Sequence, residues 1–294
     1  MREPLFILCP GWSFSSVVCA TIGRHPDAFG LPEVHLYGHP TVGDLLNFDM
    51  PVFGRPGASS GLKRAIAELK YHDQSFEAIE RAGQYLRENR HMTSGGIMRS
   101  LQGMLGEKMM VDKSPTNSHA TRMARILRDF PEARFLHLTR HPMATARSSY
   151  KAIERRGKVS EKKPEDNEQY WYKTHAAILE FSTSLQAHQY MLLQGESFLE
   201  RPDFYLRQIC DWLGLSADDA AIARMMQPER SPFAVEGPEN ARYGNNRGFI
   251  EKPHLRVGRP KPETLDAPLD WLEANDIWFT DQTRSLACQL GYDT

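Results

Sequence analysis

The sequence predicts an α/β protein: a parallel sheet in three layers, with helices on both faces. Three observations predict it. Short apolar runs of strand length alternate with patterns of helical period along most of the chain. Ser13, Lys113, Arg140 and Glu196 follow the ends of these runs, where parallel sheets bind their ligands. Residues 6–33 read as a buried strand, a tight polar turn and a helix that opens on the turn.

Phe6, Ile7 and Leu8 form the first run, Pro10 and Gly11 break it, and Ser13, Ser15 and Ser16 supply hydroxyls where a helix would begin. A helix start leaves backbone N–H groups pointing outward with the positive end of the helix dipole behind them, which makes this turn a candidate anion site. On pattern alone, a strand-turn-helix without a ligand fits equally well. The helix runs through Val17, Val18 and Ile22 to Gly23, with Pro26 beyond it. Residues 34–37 are expected to form a short strand, and Thr41 to start a helix carrying Val42, Leu45 and Leu46. A loop over 51–60 precedes two helical patterns, one with Leu62, Ile66 and Leu69, the other with Ile79, Ala82 and Leu86.

Residues 108–111 make the next core strand, which ends in Asp112-Lys113-Ser114-Pro115 and leads to a helix with Ala120, Met123, Leu127 and Phe130. Residues 134–139 (RFLHLT) form another, running into Arg140-His141-Pro142 and a further helix. A strand over 190–193 precedes a helix over 203–213 that Gly214 ends, and Ser216 with Asp219 is expected to cap the next. Residues 239–262 carry little regular pattern and hold Arg242, Arg247, Lys252, Arg256, Arg259 and Lys261 against Glu239 and Glu251. That bias suits a flap over a multiply charged anion or a solvated basic loop. A second basic run, Arg155, Arg156, Lys158, Lys162 and Lys163, reads as a solvated connection or the border of an acceptor site.

The 294 residues suffice for one large α/β domain or two modest ones. We expect one domain over 1–294, with a helical acceptor-side insertion at about 40–105 and the basic flap at about 239–262. Lys and Arg number 36 against 37 Asp and Glu, a net charge of −1 that offers no bulk attraction to nucleic acid or anionic membranes. No apolar stretch approaches the ~20 residues of a membrane span, and the N-terminal run is too short for a signal-peptide core, so a cytoplasmic chain is expected. Cys9, Cys19, Cys210 and Cys288 stand singly without CxxC spacing, which fits reduced thiols. The histidines lack metal-ligand spacing, and no metal is expected.

Gly11-Trp12-Ser13-Phe14-Ser15-Ser16 follows the first strand with His25-Pro26 beyond its helix, and FLHLTRHPMATARSS sets Ser148 eight residues after Arg140. In these segments the chain resembles the sulfotransferases that use 3′-phosphoadenosine-5′-phosphosulfate (PAPS), particularly bacterial ones similar to tyrosylprotein sulfotransferases. The resemblance covers most of the chain. It implies a P-loop NTPase-like sulfotransferase fold, PAPS as co-substrate, no metal, and a small-molecule or carrier-bound acceptor with a hydroxyl or amine. Trp12, Ser13, Phe14, Ser15 and Ser16 would form the loop around the 5′-phosphosulfate, and Arg140 and Ser148 would hold the 3′-phosphate. That spacing makes physical sense, because an Arg at a strand end and a Ser two turns into the next helix can converge on one dianion. Lys113 would reach the transferring group. Glu33, 21 residues beyond Trp12, has the spacing of the catalytic Glu of tyrosylprotein sulfotransferases, with His35 the alternative base. The segment at Val257-Gly258-Arg259 resembles the late stretch that closes over the 3′-phosphate, which carries over Arg256 and Arg259.

Two positions depart from the family pattern. Trp12 stands where the P-loop normally supplies a Lys or Arg, so Lys113, assisted by the N–H groups of Ser13 to Ser16, is the first candidate substitute and Arg259 the second. Gly195 stands where the family often has a Tyr against the adenine. Two other readings remain open at this level: a catalytically degenerate nucleotide-binding relative, and an α/β-hydrolase with Ser13 as nucleophile, because Gly11-Trp12-Ser13-Phe14-Ser15 is one residue from the G-x-S-x-G elbow.

Overall fold

The computed structural model describes residues 2–49, 57–155, 164–258, 260–269 and 278–292. Most of the expected loop at 51–60, the basic run after Arg155, and Arg259 lie outside the described residues. Five strands, β1 (Leu5–Leu8), β2 (Ala28–Gly30), β3 (Met109–Asp112), β4 (Arg134–Thr139) and β5 (Tyr190–Gln194), form one sheet in the order β2-β3-β1-β4-β5. All neighbouring pairs are parallel, with Phe6 opposite Asp112 on one side and Phe135 on the other.

The helices are α1 (Ser15–Ile22), α2 (Val42–Phe48), α3 (Ser60–Tyr71), α4 (Phe76–Glu88), α5 (Ser94–Leu105), α6 (Ala120–Asp129) and α7 (Pro142–Glu154). They continue with α8 (Pro164–Ser182), α9 (Gly195–Glu200), α10 (Pro202–Leu213), α11 (Asp219–Met225), α12 (Arg247–Glu251) and α13 (Asp281–Gln289). The centre of the sheet explains its composition. Side chains alternate across a strand, so Phe6 and Leu8 enter the core beneath α3 to α6, while Leu5, Ile7 and Cys9 enter the opposite core with α1 and α10. Both faces are covered, which is why β1 reads as an unbroken apolar run.

The order places the site. β1 lies between β3 and β4, with β2 and β3 on one side and β4 and β5 on the other, so the loop after β1 lies at the point where strand order reverses, between the ends of β3 and β4. In the described residues, no helix is long and apolar enough to cross a membrane.

Three expectations are corrected. Residues 34–37 are not a strand: His35 adopts φ 53°, and a 3-10 turn follows at Leu36–Gly38. The edge strand is β2 instead. The cap of α11 is Asp218, whose carboxylate accepts from the Ala221 N–H, while Ser216 Oγ donates to the Asp218 carboxylate and accepts from its N–H. The segment 239–262 is more ordered than a bare loop, since it contains a 3-10 turn at Glu239–Ala241 and α12. Two long helices, α5 and α8, were not delineated from sequence.

Candidate active site

The loop between β1 and α1 is built from an unusual backbone. Trp12 (φ 66°) and Phe14 (φ 64°) both occupy the left-handed region, which costs a residue with a side chain about 1–2 kcal/mol. Such conformations persist where the surroundings over-determine them. Phe14 is the residue preceding α1, and no side chain caps the helix, so its first N–H groups remain available to an anion. Ser13 is fully buried, and its Oγ has no hydrogen-bond partner.

Loop position is fixed from both sides. Ser118 Oγ accepts from the Cys9 N–H at 2.8 Å and donates to the Cys9 carbonyl at 3.0 Å, tying the end of β1 to the turn after β3. Tyr170 Oη on α8 accepts from the Gly11 N–H at 3.2 Å. Sequence reasoning missed both residues.

Lys113 leaves the end of β3 fully buried, with its Nζ 2.9 Å from Ser16 Oγ and 2.7 Å from Glu33 Oε1. Its turn is organised by Asp112, which accepts from Ser114 N–H, Ser114 Oγ and Asn117 Nδ2. Ser114 Oγ in turn accepts from the N–H groups of Val34 and His35, so the Lys113 turn and the Glu33–His35 segment are held as one piece. Glu33 also receives backing from two glycines. Its N–H donates to the Gly244 carbonyl at 2.6 Å, and a Cβ on Gly61 would lie 2.0 Å from its carbonyl oxygen.

Burial would raise the Glu33 carboxyl, but the Lys113 ammonium and His35 outweigh it and hold the group well below the usual carboxylate range. His35 Nε2 lies 3.5 Å from Glu33 Oε2, and its Nδ1 is 3.2 Å from Thr116 Oγ1. Three of the expected residues, Glu33, His35 and Lys113, therefore meet in one cluster that also touches the start of α1.

Arg140 leaves β4 on the other side of the loop. Its Nη1 donates to Ser148 Oγ at 2.8 Å and to the Trp12 carbonyl at 2.7 Å, and its guanidinium lies 4.1 Å from the centroid of the Phe14 ring. Its own carbonyl accepts from Trp171 Nε1 at 2.9 Å. Burial lowers the guanidinium pKa against the opposing pull of Glu196, Tyr292 and Glu263, and the buried Nε lacks a hydrogen-bond partner. Glu196 itself accepts from the His141 N–H and from Tyr292 Oη.

Gly195 has a physical reason. A Cβ there would meet Phe14 Cδ2 at 2.5 Å, so the glycine makes room for the ring on which Arg140 stacks. Outside this clamp a cavity of about 400 Å³ is lined by Arg140, Arg147, Ser148, Lys151, Lys261 and Glu263. Arg147 pairs with Glu263 at 2.5 Å, which leaves Arg140, Lys151 and Lys261 to set its positive character.

The basic segment is brought to the site unevenly. The Asn246 N–H reaches Ser16 Oγ at 3.4 Å, and Phe249 packs against Val17 and Ala20 of α1. Among the described residues of this segment, Lys261 and not Arg256 lines the cavity. Arg256 is exposed. As for Ser13 as a nucleophile, its buried Oγ has no base within hydrogen-bond reach among the described residues, which the hydrolase reading requires.

A family model for the sulfotransferase family matches residues 4–219. The chain belongs to the sulfotransferase family. Among solved structures it is similar to the sulfotransferase domain from the curacin biosynthetic pathway, with a TM-score of 0.79, 20% identity, and coverage of 100% of this chain and 99% of that one. It is also similar to the sulfotransferase domain from the Synechococcus PCC 7002 olefin synthase, with a TM-score of 0.74, 23% identity, and coverage of 100% and 97%. A sulfotransferase from Mycobacterium tuberculosis H37Rv matches at a TM-score of 0.50 and 15% identity, over 85% and 76%. These likenesses establish the fold. No curated protein matches the chain.

Proposed function

We propose that this sulfotransferase-family chain transfers a sulfuryl group from PAPS to a hydroxyl or amine of a small-molecule or carrier-bound acceptor. The observation that carries the reading is the Arg140 clamp. A partly buried guanidinium held by Ser148 Oγ, the Trp12 carbonyl and the Phe14 ring faces a cation-lined cavity and keeps its buried Nε–H without a partner. Such a group suits a phosphate dianion. The uncapped start of α1 and the two left-handed residues before it fit the 5′ end of the same donor.

The residues present fit the donor, so their roles follow from their positions. Arg140 and Ser148, with Lys151 and Lys261 nearby, would hold its 3′-phosphate, and the N–H groups from Ser13 to Ser16 its 5′-phosphosulfate. The donor, when bound, supplies the sulfuryl group; the chain supplies positive potential and orientation, which dominate transfers through loose, charge-spread transition states. Lys113 steadies the moving group. Glu33 and His35 form the proton-accepting pair for the acceptor, Glu33 anchored on Lys113 and His35 turned toward it. In this reading the chain is one catalytic unit, residues 40–105 shape the acceptor side, and residues 239–262 cover the donor.

A second reading rests on Trp12, whose indole cannot replace the cation usual in the family. Missing one such electrostatic contact typically lowers rates ~10²- to 10³-fold, which would leave a nucleotide-binding relative with little turnover. Calorimetric titration with adenosine 3′,5′-bisphosphate, followed by labelled sulfuryl transfer to an acceptor panel, separates the two. Arg140→Ala is expected to weaken bisphosphate binding by about 100-fold, since charged hydrogen bonds contribute roughly 1.5–3 kcal/mol. Unchanged affinity removes the assignment.

A further inference from the structure

The face of the Glu33–His35 pair turned away from Lys113 carries cationic groups that the transfer itself does not use. Thr116 Oγ1 contacts His35 Nδ1 at 3.2 Å, and the Thr116 carbonyl accepts from Arg122 Nη1 at 2.8 Å, so two residues, His35 and Thr116, link Arg122 to Glu33. Arg125, one turn along α6, donates to the Tyr37 carbonyl at 3.0 Å. Both arginines are half-buried, and neither has a carboxylate partner among the described residues. His39 nearby stays neutral: burial lowers its pKa, and Arg122, His35 and Arg125 act in the same direction against Asp44. Asp44 is already committed to the Thr41 cap of α2, where it accepts from Thr41 N–H and Oγ1.

The Tyr170 hydroxyl accepts from the Gly11 N–H and feels the charges of both Glu33 and Arg122. Through Thr116 and His35, Arg122 is therefore joined to the proton-accepting pair. Half-buried cations whose partners are neutral carbonyls recover only part of their lost hydration, and an anion would recover more. Planar guanidinium groups are suited to bidentate capture of carboxylate or phosphate.

We infer that Arg122 and Arg125 form an acceptor subsite for an anionic group, a carboxylate or a phosphate, carried by the acceptor at a distance from its reacting hydroxyl. This inference rests on the proposed sulfuryl transfer for the identity of the bound molecule as acceptor. Arg122 is the specificity-determining residue, and Arg125 supports it.

The test uses the full chain saturated with adenosine 3′,5′-bisphosphate, so that the donor cavity cannot capture the probes. Ligand-observed NMR then gives Kd for 6-hydroxyhexanoate, 6-hydroxyhexyl phosphate and hexane-1,6-diol. At least one of the two anions is expected to bind 10-fold or more tightly than the diol, and which of them does so identifies the anion as carboxylate or phosphate. Arg122→Gln is expected to abolish that preference without changing the diol, and Arg122→Lys to restore part of it. Equal binding of all three probes, or a preference that survives in Arg122→Gln, overturns the subsite. If the bisphosphate fails to bind while the Arg122-dependent preference persists, the donor reading falls and the anion subsite stands. Bisphosphate binding without the preference leaves the donor reading intact and removes the subsite alone.

Discussion

At Lys113 the two halves of the candidate site depend on one ion pair, because the ammonium is fully buried while Glu33 keeps 22% of its side chain exposed. Removing one partner of such a pair is far more damaging than removing both, since the survivor keeps its desolvation and loses its compensation. Glu33→Gln is therefore expected to destabilise the protein by about 3–5 kcal/mol. The double variant Glu33→Gln with Lys113→Met should recover most of that loss in urea unfolding. A Glu33→Gln protein within about 1 kcal/mol of wild type would show that neutral oxygen acceptors such as Ser16 Oγ satisfy Lys113 without a counter-charge. The pH sign agrees with this. A carboxyl whose folded pKa is depressed contributes stability that is full above its unfolded value of ~4.3 and lost as pH falls toward the folded one. Wild type should lose this contribution only in acid below that value, and Glu33→Gln should not show it.

The strand-loop-helix formed by β1 and α1 concentrates the site's strain and its chemistry. Trp12 holds its left-handed backbone with its carbonyl on Arg140, and a lysine at that position would keep the same backbone cost while adding a cation at the loop. Trp12→Lys is expected to raise the rate of labelled sulfuryl transfer about 10- to 100-fold, part of the ~10²- to 10³-fold that one optimised electrostatic contact supplies, with a smaller change in bisphosphate affinity. No gain would mean that Arg140 and Lys113 already supply the charge needed there. How much of this was legible beforehand follows from the same physics. β1, β3 and β4 were readable because strands inside a covered sheet are mostly apolar, and Ser13, Lys113 and Arg140 were readable because they follow those strands; β5, an edge strand with Leu192 exposed, was readable only as a short apolar run. β2 was not, since Ala28-Phe29-Gly30 has no period of its own and is set by close packing on α1. A Cβ on Gly30 would lie 2.6 Å from the Cys19 carbonyl oxygen. Tyr170 was invisible for a different reason: its bond to Gly11 spans 159 residues, and nothing local to α8 announces it.

Across the whole molecule, the wall behind Arg140 is joined to α8 by a buried chain of rings, and that chain sets an acid limit on the fold. His137 on β4 has Nδ1 2.7 Å from Tyr190 Oη and Nε2 2.7 Å from His175 Nδ1 on α8, while Trp171, one turn before His175, donates to the Arg140 carbonyl. Both histidines are fully buried. Burial pushes the His137 pKa down to about 3, and burial with the His137 neighbour takes His175 well below its ordinary value. An extra proton on His137 would make both its ring nitrogens donors and bury a charge with no counter-charge between Tyr190 and His175. Because the folded pKa lies below the unfolded value of ~6.5, the unfolded chain binds the proton first, and stability falls as pH drops through that value toward the folded one. By pH 5 this linkage costs about 2 kcal/mol for His137 alone, and His175 adds to it in the same direction. Wild type should therefore lose stability between pH 7.5 and 5 more steeply than His175→Gln, which removes one buried proton acceptor and keeps a polar partner for His137. Urea midpoints at the two pH values measure the difference. The substitution should lower stability modestly at pH 7.5, where the lost ring contact with Trp171 is felt, and flatten the acid loss. An identical pH dependence in the two proteins would mean that the ring chain opens and hydrates before the fold gives way, so that α8 and the wall behind Arg140 titrate as surface rather than core.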